Sequence, residues 1–110
     1  MEKFVITKRV NSEYQFNLKA GNGEIILTSE GYVQKASCLK GIESVKINSQ
    51  EDSRYDRRVA KNEKDYFVLK ARNAEIIGKS QYYSSKSAME TGISSVKKNA
   101  PTADIVDETL

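Results

Sequence analysis

The feature that most constrains this chain is an internal duplication. Lys19–Ile26 reads KAGNGEII, and Lys70–Ile77, fifty-one residues further on, reads KARNAEII. An alignment of 16–49 with 67–100 needs no gaps, and half of its positions are identical. Two copies are too few for a solenoid, and the period is longer than that of most solenoid repeats. The duplication therefore indicates two similar halves that close on each other.

Each copy predicts three strands followed by a helix. A short strand, KFVITK in copy one and RYDRRV in copy two, precedes a polar turn. The next strand alternates, with Phe16, Leu18 and Ala20 on one face and polar residues between them. A turn and a third strand follow, EIILTS or EIIGKS. Apolar residues then recur at helical spacing in KASCLKGIESVKIN and KSAMETGISSVKKN, which predicts an amphipathic helix.

The loop around 22–23 sets the register of the second hairpin. A loop with an even number of residues, two or four, pairs the Leu18 face with Leu27, whereas an odd loop gives a more polar pairing. We therefore predict an even loop. In its four-residue form, Lys19 lies opposite Glu24 across the strands.

Turns and helix ends carry their own conformational predictions. In copy two, the alanine after Asn73 resists positive φ, so Asn73 itself is expected in the left-handed conformation. Ser84 or Ser85 is expected to cap the second helix, whereas the first helix has a poorer cap. Asn48 and Asn99 follow the last helical turns, where a left-handed residue often ends a helix.

These elements place the chain in the α+β class. We predict a single domain over 1–110, built from two repeats at about 2–51 and 52–108. Since each strand has one apolar face, both helices are expected on the same face of one shared antiparallel sheet. Neither copy alone would bury much core, so the expected state is a monomer that is a pseudo-dimer of repeats.

Composition excludes several kinds of site and of location. The 18 basic and 15 acidic residues give a net charge of +3, without the dense basic patch of a duplex-binding domain. There is one cysteine and no histidine, which removes an internal disulfide and the commonest general base and metal ligand. We predict no catalytic residues, no cofactor and no metal. No apolar run approaches a membrane span, and no secretory signal is visible, so a cytoplasmic location is expected.

The repeated motifs resemble those of a known family. FNLKAGNGEIILTSEGY, KGIESVKINS, YFVLKARNAEIIG and TGISSVKKNA are similar to the YegP-like family of small bacterial proteins, over about residues 2 to 107. The resemblance implies a β3-α-β motif used twice, in one sheet, with the C-terminal strands exchanged between repeats. It also implies that SRYDRRV closes copy one while opening copy two, and that ADIVD closes copy two. It brings no activity, and no catalytic or ligand residue.

Recurring polar residues and the cysteine are interpreted mainly as structural. Cys38 lies on the apolar stripe of its helix, and methionine replaces it in copy two, so a small core residue is the better interpretation than a reactive thiol. Carboxylates beside the turns are interpreted as surface charges. The repeated hydroxyl residues around the strand-to-helix connections are interpreted as helix caps or loop anchors, with small-ligand binding as the alternative. The residues in question are Glu24, Glu75, Ser29, Ser80, Tyr32 and Tyr83.

The sheet face away from the helices is the candidate interaction face. A solvated surface is its plainest interpretation, and a protein partner or self-association is the leading functional one. The alternative is weak binding of single-stranded nucleic acid, for which one tyrosine is fewer than the two or three aromatics of dedicated sheets. The chain is thus predicted to be a non-enzymatic structural or protein-interaction module of otherwise unknown function. The candidate residues are Lys19, Ile26, Arg58, Tyr66, Lys70, Ile77 and Lys79.

Overall fold

The computed structural model describes residues 2–110 and contains one seven-stranded sheet with two helices. The elements are β1 (Lys3–Lys8), β2 (Tyr14–Lys19), β3 (Ile25–Thr28), α1 (Lys35–Asn48), β4 (Tyr55–Val59), β5 (Asp65–Lys70), β6 (Ile76–Lys79), α2 (Lys86–Asn99) and β7 (Asp104–Asp107). The strand order is β4-β5-β6-β3-β2-β1-β7. The described part contains no helix that is both long and apolar enough to cross a membrane.

The strands of the two repeats share this sheet as predicted, with one difference in direction. Strands β1 to β3 and β4 to β6 form antiparallel meanders, and β3 pairs with β6 to join them. Strand β7 follows α2 of the second repeat but lies parallel to β1 of the first. The exchange of the last strand is therefore confirmed, whereas the expectation of a wholly antiparallel sheet was wrong for β7.

Both helices contribute to one core that spans the two repeats. Helix α1 contacts β2 and also β5 and β6, whereas α2 contacts β5 and β3. Each helix thus rests on its own repeat and on the other, which explains why neither half has a core of its own. The largest fully buried side chains include Phe4, Phe16, Phe67, Leu27 and Ile42.

All four hairpin loops use the same turn, which the sequence shows only in part. In each, an asparagine side chain accepts the backbone N–H two residues further on, at distances of 3.0 or 3.1 Å. The residue after the asparagine has positive φ: Ser12, Gly23, Glu63 and Ala74. The prediction that Asn73 takes the left-handed conformation was wrong, because its side chain makes the turn and Ala74, at φ 71°, takes that conformation.

A β-bulge corrects the predicted register at the loop end of the second hairpin. Leu18 pairs with Leu27 as predicted, but Lys19 pairs with Ile25 rather than with Glu24. The extra residue, Ile26, turns into the core and is only 5% exposed, while Ile25 is 40% exposed. The loop therefore has an odd number of residues and not the even number that was predicted. The bulge restores the apolar pairing of Leu18 with Leu27.

The helix ends confirm one prediction and contradict another. The side chain of Ser85 accepts the N–H of Ala88 and caps α2, whereas Gln34 offers α1 no side-chain cap. Asn48 and Asn99 are not left-handed. Instead, the amide of Asn48 donates back to the Ser44 carbonyl at 2.9 Å, and the chain continues in right-handed turns.

Candidate interaction face on the open side of the sheet

The two repeats meet on the open face at a central cleft. Thr28 and Lys79 occupy equivalent positions of the repeats and face each other where β3 joins β6. Beside this pair, a cleft of about 620 Å³ opens between the strands. Its lining includes Arg9, Ile25, Thr28, Ile76, Lys79 and Tyr82. The pseudo-two-fold relation of the repeats thus creates a concave site that neither repeat contains alone.

The floor of this cleft is aliphatic because of the two β-bulges. Ile25 pairs with Lys19, and Ile76 with Lys70, so both isoleucines share the face of those lysines. Each isoleucine is 40% exposed. Half-exposed aliphatic side chains in a concavity are typical of binding surfaces rather than of solvated sheet faces.

Lys79 and Tyr82 line the cleft, and Tyr66 lies beside them. The rings of Tyr66 and Tyr82 meet edge to face, with centroids 5.5 Å apart. Nζ of Lys79 lies 5.2 Å from the centroid of Tyr66 and 5.3 Å from that of Tyr82. In residues 2–110, no carboxylate forms a salt bridge with Lys79. The two rings therefore hold an ammonium group that keeps its positive charge, and Tyr82, which is 48% exposed, remains accessible to an incoming group.

A smaller concavity continues the cleft toward the edge of the sheet. It measures about 420 Å³ and lies over the β4–β5 loop, with Tyr66 and Tyr82 in its lining. Tyr82 lines both spaces, so the two adjoin at this side chain.

Two of the other predicted cations of this face, Arg58 and Lys70, already have partners. Asp56 accepts from Arg58 at 2.9 Å and from Lys70 at 3.2 Å. The hydrogen bond from Arg58, followed by that from Lys70, lowers the pKa of Asp56 below its usual value. Lys19 lies on the same face in the first repeat, beside Ile25. The structure therefore gathers Tyr66 and Lys79 at the cleft and leaves Arg58 and Lys70 in an ion-paired group beside it.

Two residues predicted to be exposed on this face are buried. Ile26 is 5% exposed and Ile77 is 6% exposed, and both belong to the core. The bulges exchange each of them with the preceding isoleucine. Sequence reasoning also missed Tyr82, because it lies in the connection after β6 and not on a strand. The sequence signal that could have found Tyr82 is a difference between the repeats: Tyr82 stands two residues after Ser80, and the first repeat has Gly31 at the equivalent position.

The recurring hydroxyl residues have structural partners in both repeats. Ser29 Oγ accepts the Phe16 N–H at 2.9 Å, and its hydroxyl donates to the Glu30 carbonyl at 2.8 Å. Ser80 makes the same two contacts in the second repeat. The hydroxyls that the small-ligand alternative requires are therefore engaged with the backbone.

The recurring tyrosines fill space between sheet and helix. The ring of Tyr32 stacks on Phe16 with centroids 6.4 Å apart. A Cβ atom on Gly41 of α1 would lie 2.4 Å from Tyr32 Oη, so glycine permits this contact. Burial, with a smaller contribution from Glu30, raises the pKa of Tyr32 to about 12. Tyr83 and Gly92 repeat the arrangement.

Cys38 is a core residue, as predicted. Its side chain is fully buried among the residues of the core. Burial, followed by the nearby Asp107, raises the pKa of the thiol to about 11. A buried thiol with so small a thiolate fraction is not a nucleophile.

Comparison with known proteins yields matches over nearly the whole chain. A family model described as a domain of unknown function, DUF1508, matches twice, at residues 10–56 and 60–107. A UPF0339 protein of Acinetobacter baylyi is 54% identical over 96% of each chain, and the UPF0339 protein YegP of Escherichia coli K12 is 49% identical over the same shares.

Two solved structures share the fold. The solution NMR structure of a Shewanella oneidensis UPF0339 protein has a TM-score of 0.91 and 51% identity, covering 96% of this chain and 90% of that one. The solution NMR structure of yegP from E. coli, a protein of unknown function, has a TM-score of 0.92 and 48% identity, covering 97% and 92%.

Proposed function

We propose that this chain, which belongs to the DUF1508 family of uncharacterised domains in its tandem YegP-like form, is a non-enzymatic protein-interaction module. It binds a partner through its open sheet face. The observation that carries this proposal is the cleft between the repeats. It combines the exposed Ile25 and Ile76 with Lys79 and Tyr82, and Tyr66 lies beside them.

The composition of this cleft favours a protein surface as the ligand. Aromatic residues are enriched at the centres of protein interfaces, where they supply contact area at a low cost in side-chain entropy. The unneutralised ammonium favours a partner that places a carboxylate or carbonyl oxygen over Lys79. The cleft is wide and shallow rather than enclosed, which suits a loop or strand of a partner better than a small metabolite.

A non-enzymatic role is supported by the state of the reactive groups. Cys38 is buried with a raised pKa. The hydroxyls of Ser29 and Ser80 bond to the backbone. We propose that the protein acts as a monomer in the cytoplasm, where its single cysteine suits a reducing compartment.

Affinity capture with paired variants tests the proposal. Wild type, Lys79→Glu and Tyr82→Ser are used as baits against native bacterial extract, with Lys40→Glu on the exposed surface of α1 as the matched charge control. A partner that binds wild type and Lys40→Glu, and is lost from both open-face variants, supports the proposal. A partner retained by all four baits places the interaction elsewhere and contradicts it.

Single-stranded nucleic acid is the second candidate, favoured by the second tyrosine that the fold adds beside Tyr66. A fluorescently labelled oligonucleotide is titrated at low and at moderate salt. Binding at low salt that weakens with added salt and with Lys79→Glu would favour this candidate. The absence of binding at low salt removes it, since the electrostatic attraction is strongest there.

A further inference from the structure

The two outer edges of the sheet are built differently. Strand β1 forms one edge of the antiparallel meanders, and β7 covers it in parallel, with Phe4 beside Ile105 and Val5 beside Val106. Strand β4 is the equivalent strand of the second repeat, since Tyr55 pairs with Leu69 as Phe4 pairs with Leu18. In residues 2–110, no strand covers β4.

The uncovered edge presents the same backbone groups that hold β7 at the other edge. On β1, the carbonyl of Ile6 accepts the N–H of Glu108 at 3.0 Å. The N–H of Ala60 donates to Lys64 at 2.9 Å, so the groups of alternate residues from Ala60 backward point toward β5. The N–H and C=O of Arg57 therefore point away from the sheet, and Arg57 is the equivalent of Ile6, which pairs with Asp107 of β7.

A side-chain anchor is also repeated. Strand β7 is tied down by Asp107, whose carboxylate lies 2.7 Å from Nζ of Lys35 at the start of α1. Lys86, at the start of α2, is the equivalent of Lys35. Its side chain is 77% exposed, and its contact with Asp65 spans 3.3 Å. The Asp65 side chain is only 13% exposed, but an ammonium group has three donors, so Lys86 can bond a second carboxylate while it keeps this contact.

The described residues, 2–110, contain no further strand to place on β4. After α1, the chain passes through the short turn Asp52–Arg54 directly into β4, and β7 is already used on β1. The charges of this edge select no partner, because Arg57 is paired with Asp52 and Glu90, and Arg58 with Asp56. The occupant is therefore inferred from the equivalent edge, where β7 lies parallel to β1.

We propose that the outer edge of β4 is a strand-addition site for an extended segment of a partner protein. The segment runs parallel to β4 and carries the pattern of β7, with two aliphatic residues between two acidic ones. Its second acidic residue reaches Lys86 as Asp107 reaches Lys35. This edge is separate from the open-face cleft, so a partner can use either or both.

A peptide with the sequence of residues 103–109 tests the proposal. It is titrated into the isotopically labelled full-length protein and followed by NMR of the backbone amides. We expect saturable shifts at Arg57, which is the equivalent of Ile6. Shifts confined to β1 would show that the peptide merely displaces β7, and no saturable shift at millimolar peptide would also overturn the proposal.

Variants separate this edge from the other sites. Arg57→Pro removes the outward N–H, whereas Arg57→Ala loses the same side-chain ion pairs and keeps that N–H. We expect Arg57→Pro to bind the peptide at least tenfold more weakly than Arg57→Ala. Lys86→Glu should bind the peptide more weakly and recover when the peptide's second acidic residue is lysine. Equal binding by Arg57→Pro and Arg57→Ala refutes strand addition. Lys79→Glu should leave peptide binding unchanged, so failure here is distinct from failure of the open-face proposal.

Discussion

The left-handed alanine in the second repeat offers a sharp test of the turn geometry. Ala74 has φ 71°, and its equivalent Gly23 has φ 84°. A residue with a Cβ atom loses roughly 1–2 kcal/mol in this conformation. Glycine, however, loses more conformational entropy on folding than alanine, by about 0.4–1 kcal/mol. Ala74→Gly should therefore stabilise the protein by about 0.5–1 kcal/mol, and Gly23→Ala should destabilise it by a similar amount.

The site is free of steric complications. A Cβ atom built on Gly23 has no other group within 4 Å, so the expected change comes from backbone conformation alone. The free energy of unfolding is measured by urea titration with far-ultraviolet circular dichroism, and the denaturant dependence should not change. The double variant, with the two residues exchanged, should lie close to wild type because the loops are independent.

Two results would refute this reasoning. If Ala74→Gly is no more stable than wild type, the loop does not hold positive φ at this residue in solution. If Gly23→Ala loses no stability, the turn relaxes into a conformation that accepts alanine. Glu63→Gly extends the test, since Glu63 has φ 67° in an identical turn.

Four further predictions follow from single contacts. The buried amide oxygen of Asn17 lacks a hydrogen-bond partner among the described residues, and the second repeat has valine there, so Asn17→Val should stabilise by about 1 kcal/mol in urea titrations. Gly41→Ala should destabilise by roughly 1–3 kcal/mol through its clash with Tyr32, and by less in a Tyr32→Phe background; equal losses would contradict the contact. The hydrogen bond from the nearby lysine lowers the pKa of Asp107 to about 2. A carboxyl group whose pKa is lower in the folded than in the unfolded state stabilises the fold at pH values above its unfolded pKa, which is near 4. The stability advantage of wild type over Asp107→Asn should therefore shrink as the pH falls from about 5 to 2. Cys38 should resist thiol reagents at pH 8 until the protein unfolds, and rapid labelling of the native state would contradict its burial.

The core and the strands are largely readable from the sequence. Alternation places Phe16 and Leu18 inward, and both are fully buried. Helical spacing does the same for Ile42 and Val45. These predictions succeed because burial of a periodic apolar face is a local consequence of the pattern, repeated twice in this chain.

The candidate site is predicted less well, because it depends on single-residue shifts. One bulge per hairpin exchanges the exposure of Ile25 and Ile26, and alternation alone cannot indicate it. Tyr82 reaches the cleft from the connection after β6, where the neighbouring Tyr83 packs against Gly92 of α2. Three of the four left-handed residues were also hidden, since only Gly23 is of the residue type that this conformation favours.

The sequence by itself determined the duplication, the two meanders, the helices and the inward faces of the strands, because these follow from periodicity within each repeat. The tertiary structure decided what lies between the repeats: β3 beside β6, the cleft at Thr28 and Lys79, and β7 on β1. Those features join residues far apart in the chain, and their energy comes from closing one sheet and one core over two halves. For the same reason only the assembled fold shows that one edge strand is covered and its equivalent is not.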